Sequence, residues 1–147
     1  MSHDLYSGVS EQSKASTHRL DDARALLNAE RWRGAMYMAG YAVECLLKTK
    51  LMQVYGCRTL RELENELQRR GILDDHATVF THQLEWLLRL TQRSGQLRQH
   101  RTLWPQFTLV NRWLPAWRYT ADMANRRDAE DFLEAVAQIM NWIENNV

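Results

Sequence analysis

Tyr37, Tyr41, Glu44 and Lys48 stand at i, i+4, i+7 and i+11, a spacing that puts all four on one stripe of a helix. Two tyrosines beside a carboxylate and an ammonium suit either a protein interface or a stacked base. The plain alternative is a solvated pair in which Glu44 and Lys48 add about 0.2–0.5 kcal/mol to the helix and do nothing else. His82 follows Thr81, which is placed to cap a helix N-terminus. There the macrodipole disfavours a cation, so a neutral imidazole is expected, either bonded within its own turn or facing the polar stripe as a proton acceptor or relay. Arg118 and Tyr119 fall in the loop before the last helix, where Arg118 would clamp a phosphate or tie the loop down through a carboxylate such as Glu44. A second type of pair is Arg93 with His100, six residues between them, or Arg69 or Arg70 with His76. In a chain with sixteen Arg and five His, about one or two such spacings arise by chance. Arg93–His100 is the better placed of them.

The elements that must carry these residues read as helices throughout. Only two prolines and six glycines punctuate the chain, and no window alternates apolar and polar residues as a strand would. A first helix spans about 10–28, with Leu20, Ala23, Leu26 and Leu27 inward. The second, about 30–55, carries a core stripe of Trp32, Ala35, Met36, Ala39, Val43, Leu46, Leu47, Leu51 and Val54 beside the polar stripe, and stops at Gly56. Thr59 and Glu62 form a capping-box pattern that opens a charged surface helix, anchored by Leu60, Leu63 and Leu67 and ending at Gly71. A fourth helix starts at Thr81 with Leu84, Leu87, Leu88 and Thr91 inward, and stops at Ser94 and Gly95. Shorter helical pieces follow at about 96–103 and 106–114, the latter with Pro105 in its first turn. Pro115 breaks the chain. The last helix starts near Asn125 with Ala129, Phe132, Leu133, Val136, Ile139, Met140 and Ile143 at core spacing. The sum is an all-α, up-down bundle of four to five helices with a short extra surface helix.

Bulk composition narrows the function classes. The 147 residues suffice for one domain, 1–147, with about the first ten residues flexible. No apolar run approaches the ~20 residues of a membrane span, and no secretory signal is visible, so a cytoplasmic protein is expected without membrane partners. A net charge of +1 argues against bulk electrostatic coating of nucleic acid. Arginine strongly outnumbers lysine, which favours bidentate phosphate or carboxylate recognition, although a GC-rich genome gives the same bias. Cys45 and Cys57 read as a buried and a loop thiol, and no ligand spacing calls for a metal or other cofactor. The six tryptophans, with Trp86, Trp104, Trp113 and Trp117 in the second half, leave open a helical adaptor that binds a protein through an exposed Trp patch.

Residues 18–55, through Ala25, Leu26, Leu27, Arg33, Ala35, Tyr37, Ala39 to Glu44, Leu47 and Lys48, resemble the first half of a HEPN domain. Thr81, His82 and Leu84, then Trp117, Arg118 and Tyr119, and finally Asn141, Trp142 and Ile143 match the rest in order. The resemblance covers about residues 15–146. It implies an all-α bundle that usually dimerises and, in many members, a metal-independent endoribonuclease of toxin–antitoxin or antiviral systems. One large group is encoded beside a minimal nucleotidyltransferase antitoxin. The nuclease members place an Arg and a His, with about four to six residues between them, at the start of the last helix, to hold a phosphate and move a proton. This chain departs there, because Arg126 and Arg127 are followed by no histidine. The resemblance therefore implies a variant whose polar groove holds Tyr37, Tyr41, Glu44, Lys48, His82, Arg118 and Tyr119. It would be a homodimer binding RNA or a nucleotide, as the toxin-side or accessory half of a module with a nucleotidyltransferase. The enzyme alternative draws on Arg93 with His100, or His82 with Arg118.

Overall fold

The computed structural model describes residues 8–118 and 124–147. Tyr119 and most of the start expected to be flexible lie outside the described residues. Within them the chain is all-α: α1 (Val9–Asn28), α2 (Trp32–Val54), α3 (Leu60–Arg69), α4 (Leu84–Leu90), α5 (Ser94–Arg98), α6 (Leu103–Val110), a 3-10 turn (Pro115–Arg118) and α7 (Arg126–Asn146). An isolated bridge between Gly8 and Thr59 is the only extended pairing among the described residues.

The long helix α2 is the axis of the molecule. It packs on α1, α3, α4, α7 and the 3-10 turn, while α6 packs on α7. The fourth side of the bundle is thus assembled from short pieces. Small residues let α1 approach α2 closely: Ala23 and Ser16 are buried, and Ser16 Oγ donates to the Ala42 carbonyl at 3.1 Å. At the other face, Lys50 pairs with Glu144 of α7 at 3.1 Å. The anchors Leu60, Leu63 and Leu67 seat the otherwise polar α3, and Leu84, Leu87 and Leu88 do the same for α4.

Helix ends follow local chemistry. Gly56 and Gly71 adopt φ of +69° and +74°, and each closes a Schellman turn, Cys57 N to Met52 O at 2.8 Å and Ile72 N to Leu67 O at 2.9 Å. Glu30 and Gln92 take the same left-handed conformation at φ 62° without being glycine. Gln92 ends α4 ahead of Ser94, which opens α5 instead of stopping the previous helix. At the start of α3, Thr59 Oγ1 accepts from Glu62 N at 3.1 Å. The Glu62 carboxylate reaches back one residue further than a capping box requires, accepting from Arg58 N at 2.8 Å.

Three further expectations change. α6 begins at Leu103, so Pro105 sits third in the helix, among the first-turn positions whose N–H lacks a partner anyway. Val54 is 51% exposed and does not belong to the core. Fifteen of the twenty-three α2 residues are buried, Tyr37, Glu44 and Lys48 among them, because neighbours enclose the helix on nearly every side. The second stripe is therefore no solvated face. Among the described residues no helix is long and apolar enough to cross a membrane.

Candidate functional site

Glu44 and Lys48 face each other on α2, Lys48 Nζ donating to Glu44 Oε2 at 3.0 Å. They are only 3% and 6% exposed, which contradicts the surface-pair alternative. Removing two charges from water costs several kcal/mol per ion, and their attraction rarely returns more than an apolar pair would supply. Folding alone is therefore a poor reason for this pair.

Glu44 has a second partner. Its Oε1 lies 2.6 Å from His82 Nδ1. Facing an ammonium, Glu44 is read as a carboxylate that only accepts, so Nδ1 carries the hydrogen and Nε2 is left for another partner. The His82 side chain is 57% exposed, so the cluster runs from a buried ammonium through a buried carboxylate to an accessible imidazole. The loop that brings His82 there is pinned from α3: Glu64 accepts from Thr78 Oγ1 and, at 3.1 Å, from Val79 N. Thr81 is not the cap of α4. Its hydroxyl accepts from Gln83 N at 3.2 Å, Gln83 is the cap, and His82 stands before the helix. The macrodipole argument for a neutral His82 therefore falls away, and Glu44 is what faces the ring.

The cluster lines a cavity of about 740 Å³, walled by Lys14, His18 and Arg19 of α1 with Tyr41 and Phe80. A second cavity of about 500 Å³ holds Tyr37, Tyr41, Arg19, Arg33, Trp117 and Arg118. Arg19 and Tyr41 line both, so the two cavities adjoin, and together they make up the candidate groove. His82 also borders a third cavity of about 560 Å³ with Asn111 and Trp113. Burial, and then the neighbouring Cys45, Glu44 and Tyr37, push the Tyr41 phenol upward, keeping it a neutral donor at ordinary pH.

Of the sequence candidates, Tyr37, Tyr41, Glu44, Lys48 and His82 come together, and Arg118 joins them at the Tyr37 end. The oxygens of Glu44 are occupied by Lys48 and His82. Arg93 and His100 sit elsewhere. Arg93 caps α5, and His100 Nδ1 accepts from Leu103 N at 3.2 Å, a local role at the start of α6. Neither residue lines the groove. Arg69 and Arg70 pair with Glu66, and Arg126 is held by Glu30 at 2.8 Å and lies over the Trp32 ring.

Trp113 is the site residue that sequence reasoning missed. Its indole N–H donates to the Tyr37 carbonyl at 2.9 Å, and its ring meets Tyr37, Tyr41 and His82 at centroid distances of 6.1, 6.4 and 6.4 Å. The ring rests directly on Gly40, where an added Cβ would stand 2.1 Å from it. A glycine inside an otherwise good helix was the available signal. Trp113 and Trp142 are buried, and Trp32, Trp86, Trp104 and Trp117 are half-buried against the core. An adaptor reading based on an exposed Trp patch loses its support. Cys45 and Cys57 are free thiols, and no cluster of three or more His, Cys, Asp or Glu among the described residues could hold a metal ion.

The HEPN domain family matches residues 11–146, nearly the whole chain. The protein belongs to the HEPN family. That membership supports a nucleotide- or RNA-related role in general terms, and HEPN domains commonly dimerise. No curated protein and no solved structure was found to match the chain.

Proposed function

We propose that this single-domain HEPN protein is a cytoplasmic prokaryotic homodimer that binds RNA or a nucleotide along the Tyr37–His82 groove. It serves as the toxin-side or accessory half of a toxin–antitoxin or defence module, with a nucleotidyltransferase as partner. The observation that carries the reading is the buried Lys48–Glu44–His82 chain, opening at His82 onto a groove lined by Tyr41 and Arg19. Aromatic faces and guanidinium groups are what a stacked base and its phosphate require. Titrating short single-stranded RNAs and nucleotides against wild-type, Tyr41→Ala and His82→Ala proteins tests it. Binding that weakens in both variants supports the groove, and unchanged binding in both rejects it.

A second reading, a metal-independent ribonuclease, draws on one contact. Glu44 orients the His82 ring at 2.6 Å, as a carboxylate orients a general base. Nε2 would take the proton of a 2′-hydroxyl, and a groove arginine would stabilise the charge gathering on the phosphate. Incubation with tRNA in EDTA decides: cleavage lost in His82→Ala and kept in His100→Ala assigns the base. No cleavage by any preparation ends this reading.

A further inference from the structure

We infer that the cavity at the Tyr37 end of the groove is a seat for a phosphate monoester, either a free nucleotide's or the phosphorylated end of an RNA. This rests on the groove reading and names the chemistry of its ligand. Arg19, Arg33 and Arg118 all line this one cavity of about 500 Å³, and among the described residues no carboxylate lines it. Arg19 has an outside partner, Asp22, at 2.9 Å.

Arg33 is the centre of the argument. Its guanidinium lies over the Trp117 ring, 4.7 Å from the centroid, so its plane is held before any ligand arrives. Its Nε is buried without a hydrogen-bond acceptor, a state uncommon enough in folded proteins to need a reason. On its other side Arg33 borders a smaller cavity with Asp128 and Asp131, yet neither carboxylate comes within ion-pair distance. The buried Tyr37 ring meets the Tyr41 ring edge to face at 6.0 Å and holds it in place, and the half-buried Tyr41 is the aromatic surface for a base beside the phosphate.

Charge decides between phosphate types. An internal phosphodiester carries one negative charge, whereas a monoester carries about 1.5–2 and three acceptor oxygens. With Asp22 held on Arg19, three arginines about one cavity still match the charge of a monoester better than that of a diester, and guanidiniums suit its oxygens. The tyrosines share the wall with Arg19 and lead toward His82, so a phosphate held here places the following sugar and base along the groove.

Intrinsic tryptophan fluorescence reads the test, since Trp117 lies under Arg33. The full-length protein is titrated with adenosine, with 5′-AMP and with one short RNA bearing 5′-phosphate, 3′-phosphate or only hydroxyl ends. We expect phosphate to tighten binding at least about tenfold, and the RNA arms to show which end is held. In Arg33→Gln, and in the solvent-exposed Arg118→Gln, the ratio of phosphorylated to unphosphorylated affinity falls toward one, while Arg33→Lys keeps part of it. Circular dichroism checks that each variant is folded. Equal binding with and without phosphate, while hydroxyl-ended RNA still binds, overturns this inference and leaves the groove standing. A ratio unchanged in both glutamine variants also overturns it. Failure of every RNA and nucleotide to bind overturns both readings.

Discussion

Glu44 is the residue on which the site turns, and its variants separate structure from function. Glu44→Gln leaves the buried Lys48 ammonium without its countercharge. Breaking a buried pair this way costs about 3–5 kcal/mol, so urea denaturation is expected to show a large loss. His82→Ala removes a partner that is more than half exposed and should cost less than about 1 kcal/mol. An equal loss in the two variants would make His82 a structural brace and not a group offered to a ligand. Cys45 behaves as a core residue. Burial, with Glu44 nearby, pushes its thiol up from 9.0 to about 12. At pH 8 the native thiol is protonated, so iodoacetamide followed by mass spectrometry should find Cys45 unmodified until urea is added. Above pH 9 the unfolded thiol ionises first, so the stability Cys45 supports is whole below pH 9 and is lost as pH rises toward 12.

At the scale of elements, local rules wrote most of the ends, and the exceptions are informative. Thr59 caps α3 as its spacing with Glu62 foretold, and Thr59→Ala should cost about 1 kcal/mol in a thermal melt. Thr81 has the same residue type, but its hydroxyl turns the chain ahead of Gln83. The difference lies in the loop that Glu64 holds from α3, a contact across fourteen or more positions that no local pattern announces. Gln92 sits at φ 62°, a conformation that strains a side chain, and Gln92→Gly is expected to raise stability by about 0.5–1 kcal/mol in the same measurement. The meeting of α2 with the turn after α6 is tighter. Gly40→Ala would drive a methyl into the Trp113 ring, so the indole must leave its place and its bond to Tyr37. A loss of about 1–3 kcal/mol or more is expected, with a red-shifted tryptophan emission. Unchanged emission would mean that the backbone moves instead.

For the whole molecule, the open question is what the groove serves. The HEPN match spans residues 11–146, and the two arginines that open α7 are followed by no histidine, Arg126 being tied to Glu30. The histidines that line the groove, His18 of α1 and His82 of the loop before α4, stand outside that helix. Sedimentation of the purified protein at micromolar concentration is expected to give a dimer, and a monomer there would remove that part of the proposal. Expression of the lone gene, with and without a neighbouring nucleotidyltransferase, separates a toxin relieved by its partner from an accessory protein that leaves growth unaffected.

The helical class, the core stripes and the caps at Thr59, Gly56 and Gly71 were legible in the residues because each depends on neighbours within about one or two turns. The polar stripe of α2 was legible too, as a spacing. Whether it faced water was not. Glu44 and Lys48 share one cavity with α1 residues and with Phe80 and His82 of the loop before α4, and burial is a property of the packed whole. The same holds for Trp113, which reaches Tyr37 across seventy-six positions, and for Arg33, whose partner ring at Trp117 comes from the far end of the chain. Sequence determined which groups were available. Tertiary packing decided which of them lost their water, and therefore which have chemistry to do.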